Sequence, residues 1–413
     1  MNKTSHGGHH RRPDRAPQGR PPAFRRPNIR ATTGGGQPAR AIDIATDVIR
    51  KAEAGHPADG LLREALRAAR GVSPDGARRA ARWVFDWYRW QGWFQGSEPL
   101  PQKIQMAAEM ADAFESGRGG VSLEDLRTRA VPSWTQEEMT VSEAWLRAIQ
   151  KRPALWIRAR AASLADLAMS VRGLERPALA FCGQALEHCG DEDLFRLPQF
   201  HEGQFELQDW SSQAVGHWCA PKPGETWWDA CAGEGGKTLH LSELMGNKGL
   251  IWASDRADWR LKKLKQRAAR AGVFNYRSAL WEGGAKLPTK TRFDGVLVDA
   301  PCSGIGTWQR NPHARWTTRP TDIRELAEVQ QRLLDHVTPS LKPGGRLVYS
   351  VCTLSRAETT EVVQAFHSRH PEMEPVPLSM PDGLESNQVG QAWLWPQDIR
   401  ANGMFVAAWK KKE

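Results

Sequence analysis

The chain has 413 residues, 40% of them hydrophobic and 25% charged, with a formal net charge of +10. That length exceeds what one hydrophobic core ordinarily supports, and the charge points to a polyanionic partner. Six cysteines without regular spacing, no apolar leader and no apolar run near the ~20 residues that cross a bilayer argue against a disulfide framework, secretion and a membrane span, so a cytoplasmic protein is expected.

Residues 1–40 carry nine Lys or Arg against one acid, Asp14, which accounts for +8 of the +10. This stretch is rich in Pro, Gly and Arg, the composition of a disordered basic tail that serves either as an electrostatic arm for nucleic acid or as a solubilising extension. From 41 to 153 apolar residues recur at helical spacing: Ile42, Ala45, Val48 and Ile49, then Leu61, Leu62, Ala65, Leu66 and Ala69, with Gly55 and Gly71 as stops. An all-helical domain is predicted there. Trp83, Trp87, Trp90 and Trp93 share one helical face, which reads as core before it reads as a base-stacking stripe. Residues 154–222 mix short alternating and helical segments and read as a subdomain joining the helical region to the carboxyl-terminal part of the chain.

From 223 to 413 strands alternate with helices, the pattern of an α/β domain with a parallel, doubly wound sheet. Strands are expected at 226–231, 250–255, 276–280, 293–299, 346–352 and 404–409. A helix carrying Ile323, Leu326, Gln330, Leu333, Leu334 and Val337 should open at Thr321 and close between Pro339 and Gly345.

The first of these strands runs into Asp229-Ala230-Cys231-Ala232-Gly233-Glu234-Gly235-Gly236-Lys237 ahead of a helix. Glycines let the backbone pass close to a bound nucleoside, and Asp255, at the end of the next strand, can take ribose hydroxyls. Glu234 disfavours pyrophosphate at that helix terminus and favours a cofactor with cationic character, such as S-adenosylmethionine. Two further strands end in Asp299-Ala300-Pro301-Cys302 and Tyr349-Ser350-Val351-Cys352. They place two thiols at the rim where open α/β sheets hold their ligands, which points to covalent chemistry. Cys182, Cys189, Cys219 and the thiol of Cys231 read as ordinary core sulfur. Without CxxC or Cys/His ligand spacing, no zinc or other metal is expected.

The segments Asp-Ala-Cys-Ala-Gly-Glu-Gly-Gly-Lys-Thr at 229–238, Asp-Ala-Pro-Cys-Ser-Gly-Ile-Gly-Thr-Trp-Gln-Arg-Asn-Pro at 299–312 and Tyr-Ser-Val-Cys-Thr-Leu at 349–354 resemble the NOL/Sun family of RNA cytosine-5 methyltransferases. The similarity runs from about Leu155 to the carboxyl terminus and includes Gln208-Asp209 and Ser211-Ser212. The helical region resembles, more loosely, the NusB-like domain of RsmB-type small-subunit rRNA methyltransferases. The resemblance implies a Rossmann-like, S-adenosylmethionine-dependent methyltransferase with an amino-terminal helical domain, a monomer acting on RNA, with rRNA the first choice and tRNA the second. It implies Cys352 as the nucleophile, Cys302 as the release residue, Asp299 at ring nitrogen 3, and Lys237 orienting Asp299. Cys231, Ala232, Gly233, Glu234, Gly235, Gly236, Lys237, Asp255 and Asp299 would surround the cofactor.

Arg310, Asn311, Arg315 and Trp316 are candidates for gripping a splayed nucleotide through phosphate contacts and stacking, because a base inside a duplex is unreachable. The sequence departs from the family in two places. Arg277 to Glu282 occupies the stretch of the family's acid after the third strand, which leaves Trp281 or Glu282 to meet the adenine, and Val351 stands where the family has Thr. Two other readings stay open: an amino-methyltransferase, because the Asp299 loop occupies the place of the Asp/Asn-Pro-Pro-aromatic loop of those enzymes, and an RNA-binding ribosome-assembly factor without catalysis.

Overall fold

The structure is a computed structural model that describes residues 40–413 apart from 54, 70 and 387; the basic segment before residue 40 lies outside the described residues. The chain opens with helices α1 Ala41–Ala52, α2 Ala58–Ala68, α3 Pro74–Trp90, α4 Leu100–Glu115, α5 Leu123–Arg129, α6 Thr135–Glu138 and α7 Glu143–Gln150. Ser73, Ser122 and Ser142 each accept a backbone N–H in the first turn of α3, α5 and α7, satisfying a donor that the helix itself leaves unpaired. The apolar faces of α1, α3 and α4 close on one another through Val48, Ile49, Val84 and Ile104. Of the four indoles on one face, Trp87 and Trp90 are core and Trp83 and Trp93 pack half-buried at its margin.

Strands β1 Leu155–Ala159, β2 Leu174–Glu175, β3 Ala185–His188 and β4 Phe205–Leu207, with short helices α8 Leu164–Ser170 and α9 Pro198–His201, build a small antiparallel sheet in the order β2-β3-β1-β4. The main sheet comes next, with β5 Thr226–Asp229, β6 Leu250–Asp255, β7 Tyr276–Leu280, β8 Phe293–Asp299, β9 Leu341–Val351, β10 Met373–Pro375, β11 Gln391–Leu394 and β12 Met404–Lys411. Its order is β10-β12-β9-β8-β5-β6-β7, with β11 also on β12. Strands β5 to β9 pair in parallel.

The sheet departs from the all-parallel expectation at its carboxyl-terminal edge, where β12 runs antiparallel to β9, β10 and β11. Helix α15 Thr360–Arg369 and the short strands β10 and β11 have already returned the chain to the rim of the sheet, so β12 descends from it. The other helices of this part are α10 Trp210–Cys219, α11 Gly236–Leu244, α12 Asp258–Arg270, α13 Ala314–Thr317, α14 Pro320–Val337 and, after α15, α16 Pro396–Ile399. Helix α14 opens at Pro320 rather than Thr321, because a proline fits the first helical turn and the Asp322 carboxylate accepts from the Arg319 N–H at 2.9 Å.

Side chains alternate across each strand, so neighbouring residues enter opposite cores. Trp227 packs with Trp210, Trp218 and Leu241 of α10 and α11 and with Met245 just past α11, whereas Trp228 faces Leu333, Leu334 and Phe366 of α14 and α15. The small sheet is anchored to this body by the buried Arg158 of β1, which bridges to Glu243 of α11 and donates to Gln208 at 2.7 Å. Burial pulls the Arg158 pKa down to about 10.

The loops after the two active-rim cysteines are built into the helical region. Ile305, Trp308, Ile323 and Leu354 share one apolar core with α1, α3, α4 and α7. Trp308 is fully buried between Trp134 and Trp145, with ring centroids 5.9 and 6.2 Å away. Gly306 makes this possible: a Cβ there would sit 2.2 Å from the Gly403 carbonyl oxygen, so only hydrogen lets the loop lie against the approach to β12.

Candidate active site

Asp229, Asp255, Asp299 and Cys352 stand at the carboxyl ends of β5, β6, β8 and β9, on either side of the point where the strand order reverses between β5 and β8. Ligands of open α/β sheets bind at such a point. A cavity of about 510 Å³ opens there, lined among others by Cys231, Ala232, Gly233, Glu234, Gly236 and Lys237, with Asp255, Asp299, Cys302 and Cys352 around it. Gly235 does not line it. Its φ is +89°, a conformation that favours glycine, and a Cβ would meet Leu264 Cγ at 2.7 Å, so it shapes the turn into α11 instead.

Five carboxylates line the cavity: Asp229, Glu234, Asp255, Glu282 and Asp299. Asp255 is buried and accepts from the N–H groups of Gly233 at 3.0 Å and Ala257 at 2.8 Å, which ties the glycine loop to β6. Asp229 is fully buried; its Oδ2 accepts from Thr238 at 2.6 Å, and its Oδ1 has no partner among the described residues. Burial raises its pKa to about 7. Glu234, on which the sequence argument for a cationic cofactor rested, is paired with Lys263 at 2.7 Å near the surface, so its charge is largely cancelled. The open oxygen of Asp229 carries that argument instead.

At the other end of the cavity the Cys302 and Cys352 sulfurs lie 3.4 Å apart. Lys237, 9% exposed, donates to Asp299 Oδ2 at 2.7 Å, and Ser350 Oγ donates to Asp299 Oδ1 at 2.8 Å, which fixes the carboxylate in one orientation. Burial pulls the Lys237 ammonium down, but the charge and hydrogen bond of Asp299 outweigh it, with a further contribution from Cys352, so the net direction is upward. The cation next to the thiols is thus secured. The contact with Cys352 and then burial push the Cys302 thiol well up, which keeps it protonated.

Of the four residues expected at RNA, Arg310 and Asn311 are exposed, in a groove of about 690 Å³ between α2, α3 and the Cys302 loop, where Arg63 and Arg82 join them. Arg315 and Trp316 are corrections. Arg315 is fully buried, donating to the Ala130, Ile149 and Trp308 carbonyls and to Gln150 Oε1, and so is unavailable to a phosphate. Trp316 packs on the helical core and donates its indole N–H to the Tyr88 carbonyl at 2.7 Å. Both join the loop to the helical region. Asp209 caps α10 through Ser211, and Ser212 reaches the cofactor cavity, so the 208–212 segment links the small sheet to the site.

Residues 217–410 match the family described as 16S rRNA methyltransferase RsmB/F. This chain belongs to the RsmB/F methyltransferase family. A probable ribosomal RNA small subunit methyltransferase B of Synechocystis sp. is 37% identical over 300 residues, which is 68% of this chain and 66% of that protein. The corresponding Bacillus subtilis protein is 37% identical over 220 residues, or 52% of this chain and 49% of that one. The match thus spans from about half to just under two thirds of the length of these relatives. Among solved structures, PH0851 superposes with a TM-score of 0.75 at 25% identity, covering 90% of this chain and 98% of that one. A methyltransferase homolog protein from Pyrococcus horikoshii gives 0.55 at 28% identity, covering 65% and 90%.

S-adenosylmethionine is the cofactor of this fold, and the residues of the RsmB/F chain fit it. The unpartnered Asp229 Oδ1 can accept from an ammonium, and Asp255 can accept from ribose hydroxyls. Trp281 and Glu282, directly after β7, both line the cavity; Trp281 is held by its indole N–H to the Gly284 carbonyl at 3.0 Å and lies against Trp228. Val351, the last residue of β9, is fully buried in the core beneath the site.

One residue of the site escaped the sequence reading. Glu358, completely buried, accepts hydrogen bonds from the residues immediately after both cysteines. Its signal is the polar run Thr353, Ser355, Glu358 directly after Cys352, which only the folded loops show converging.

Proposed function

We propose that this chain transfers a methyl group from S-adenosylmethionine to carbon 5 of a cytosine in RNA, with rRNA as the substrate, through a covalent adduct on Cys352. The observation that carries the reading is the pair of sulfurs 3.4 Å apart, beside the Lys237–Asp299 ion pair and open to the cofactor cavity. A transfer to nitrogen or oxygen needs no thiol. Membership of the RsmB/F family and relatives named for the small ribosomal subunit support rRNA as the target.

Carbon 5 of cytosine is a weak nucleophile. Addition of the Cys352 thiolate to carbon 6 makes carbon 5 electron-rich, splitting one hard step into two easier ones. Lys237 favours the thiolate by its charge. Asp299, held by Lys237 and Ser350, takes up the proton that Cys352 gives up and passes it to nitrogen 3 as charge develops there. When bound, S-adenosylmethionine supplies the electrophilic methyl group. Cys302, once its own proton has passed to solvent, takes the proton from carbon 5, and the electron pair left there re-forms the ring double bond and expels Cys352 from carbon 6 as the thiolate, releasing the product.

Cys352→Ala should abolish methyl transfer to an RNA carrying the target. Cys302→Ala should accumulate a protein–RNA adduct that survives denaturing electrophoresis. Retention of most activity by Cys352→Ala sinks the covalent reading, and modification of nitrogen rather than carbon 5 sinks the choice of atom.

A further inference from the structure

We infer that Glu358 is a positioning residue that sets the separation of the two active-rim thiols by bracing both of their loops against one buried carboxylate. The inference rests on the proposed roles of Cys302 and Cys352. Glu358 Oε1 accepts from the Ser303 N–H at 2.8 Å and from Gln330 Nε2 at 3.0 Å; Oε2 accepts from the hydroxyls of Ser303 at 2.5 Å, Thr353 at 3.0 Å and Ser355 at 2.9 Å. Ser303 is next to Cys302 in the chain and Thr353 is next to Cys352, so one side chain holds the immediate neighbours of both sulfurs. Gln330 grips the other flank of Cys302 through the Pro301 carbonyl at 2.9 Å, and Tyr349 fixes Gln330 Oε1 at 2.9 Å and the Glu358 carbonyl at 2.7 Å.

Among the described residues no cation pairs with Glu358, so five neutral donors hold a completely buried carboxylate. Such an arrangement is costly to bury and rigid once its donors are in place. Its loops have to deliver two sulfurs to adjacent carbons of one ring, one to form a bond and the other to take a proton. Misplacement by about 1 Å costs on the order of a hundredfold in rate.

Glu358→Gln tests this. The amide keeps the volume and one carbonyl oxygen for the Ser303 N–H and Gln330, but turns an NH2 toward three hydroxyls. The full chain should stay folded and bind S-adenosylmethionine as before by calorimetry. Formation of the Cys302–Cys352 disulfide with diamide, which takes up the two electrons and two protons released, should slow about tenfold or more. The kcat for methyl transfer should fall by a similar factor while KM for RNA holds within about threefold. A residue that merely stabilises the fold would lower the amount of active protein without moving the disulfide rate of the folded fraction.

Unchanged disulfide and methyl-transfer rates in a folded Glu358→Gln variant overturn the inference. Should that variant fail to fold, the paired Ser303→Ala and Thr353→Val substitutions, which remove both hydroxyl ties and leave the Ser303 N–H and the carboxylate, must slow both rates or the inference falls. The disulfide rate reads sulfur geometry whatever the substrate is. A slowed disulfide in a protein that methylates no cytosine therefore leaves the positioning role standing and removes the cytosine-5 reading instead.

Discussion

Replacing Arg315 with Met should loosen the Cys302 loop from the helical region. The guanidinium is fully buried and donates to Gln150 Oε1 at 2.6 Å, to the Ala130 carbonyl at 3.3 Å, to the Trp308 carbonyl at 3.3 and 3.2 Å, and to the Ile149 carbonyl. Each buried acceptor left without a partner costs about 1–3 kcal/mol. Burial and then Arg89 push the Arg315 pKa well down, a sign that the cation itself is costly to hold there, and Met removes that cost. The net is therefore at the low end of what breaking a buried charged network costs, about 3 kcal/mol. That raises the population of an open form by about two decades. The assay is limited proteolysis of the native protein, with denaturant unfolding alongside: cleavage near residue 152, where α7 gives way to β1, should accelerate by about a hundredfold. Methyl transfer should fall with it, since Ile305 and Trp308 share the helical core. A destabilisation under about 1 kcal/mol with unchanged cleavage would refute the argument that this one side chain couples the two regions.

Three further outcomes are expected. Asp255→Ala, which removes a buried acceptor at the end of β6 and its tie to Gly233, should weaken S-adenosylmethionine binding by one to two decades, or about 1.5–3 kcal/mol, measured by calorimetry. Burial raises Asp229 to about 7, so the unfolded chain loses this proton first as pH rises and stability falls between about 4 and 7; Asp229→Asn should flatten that decline, and parallel pH profiles of the two proteins would contradict it. Removal of residues 1–40, which carry most of the net charge, should weaken RNA binding at low salt and reduce the log–log salt slope by roughly 0.7 for each lost phosphate contact, without moving the methylated site.

The sequence by itself determined the elements whose signal is local. The six expected strands of the main sheet all form, because β-rich runs between turn residues need no distant partner to be recognised, and the glycine loop and both thiols fall at strand ends for the same reason. The spacing of the tryptophan stripe marked it as core, and Trp87 and Trp90 are buried there with Trp83 and Trp93 at the margin. What only the tertiary structure decided is where polar side chains point. Arg315 and Trp316 look, in sequence, like Arg310 and Asn311, and only the docking of the loop onto the helices turns the first pair inward to backbone carbonyls while the second pair stays in solvent. Glu358 likewise carries only a partial local mark, the polar run with Thr353 and Ser355, because its other donors come from residues 303 and 330. The direction of β12 was equally hidden, because hydrophobic alternation is the same in either sense and the chain's path through β10 and β11 sets it. Period and turn chemistry are written along the chain, whereas a buried polar group is specified by partners that the fold brings to it from far away.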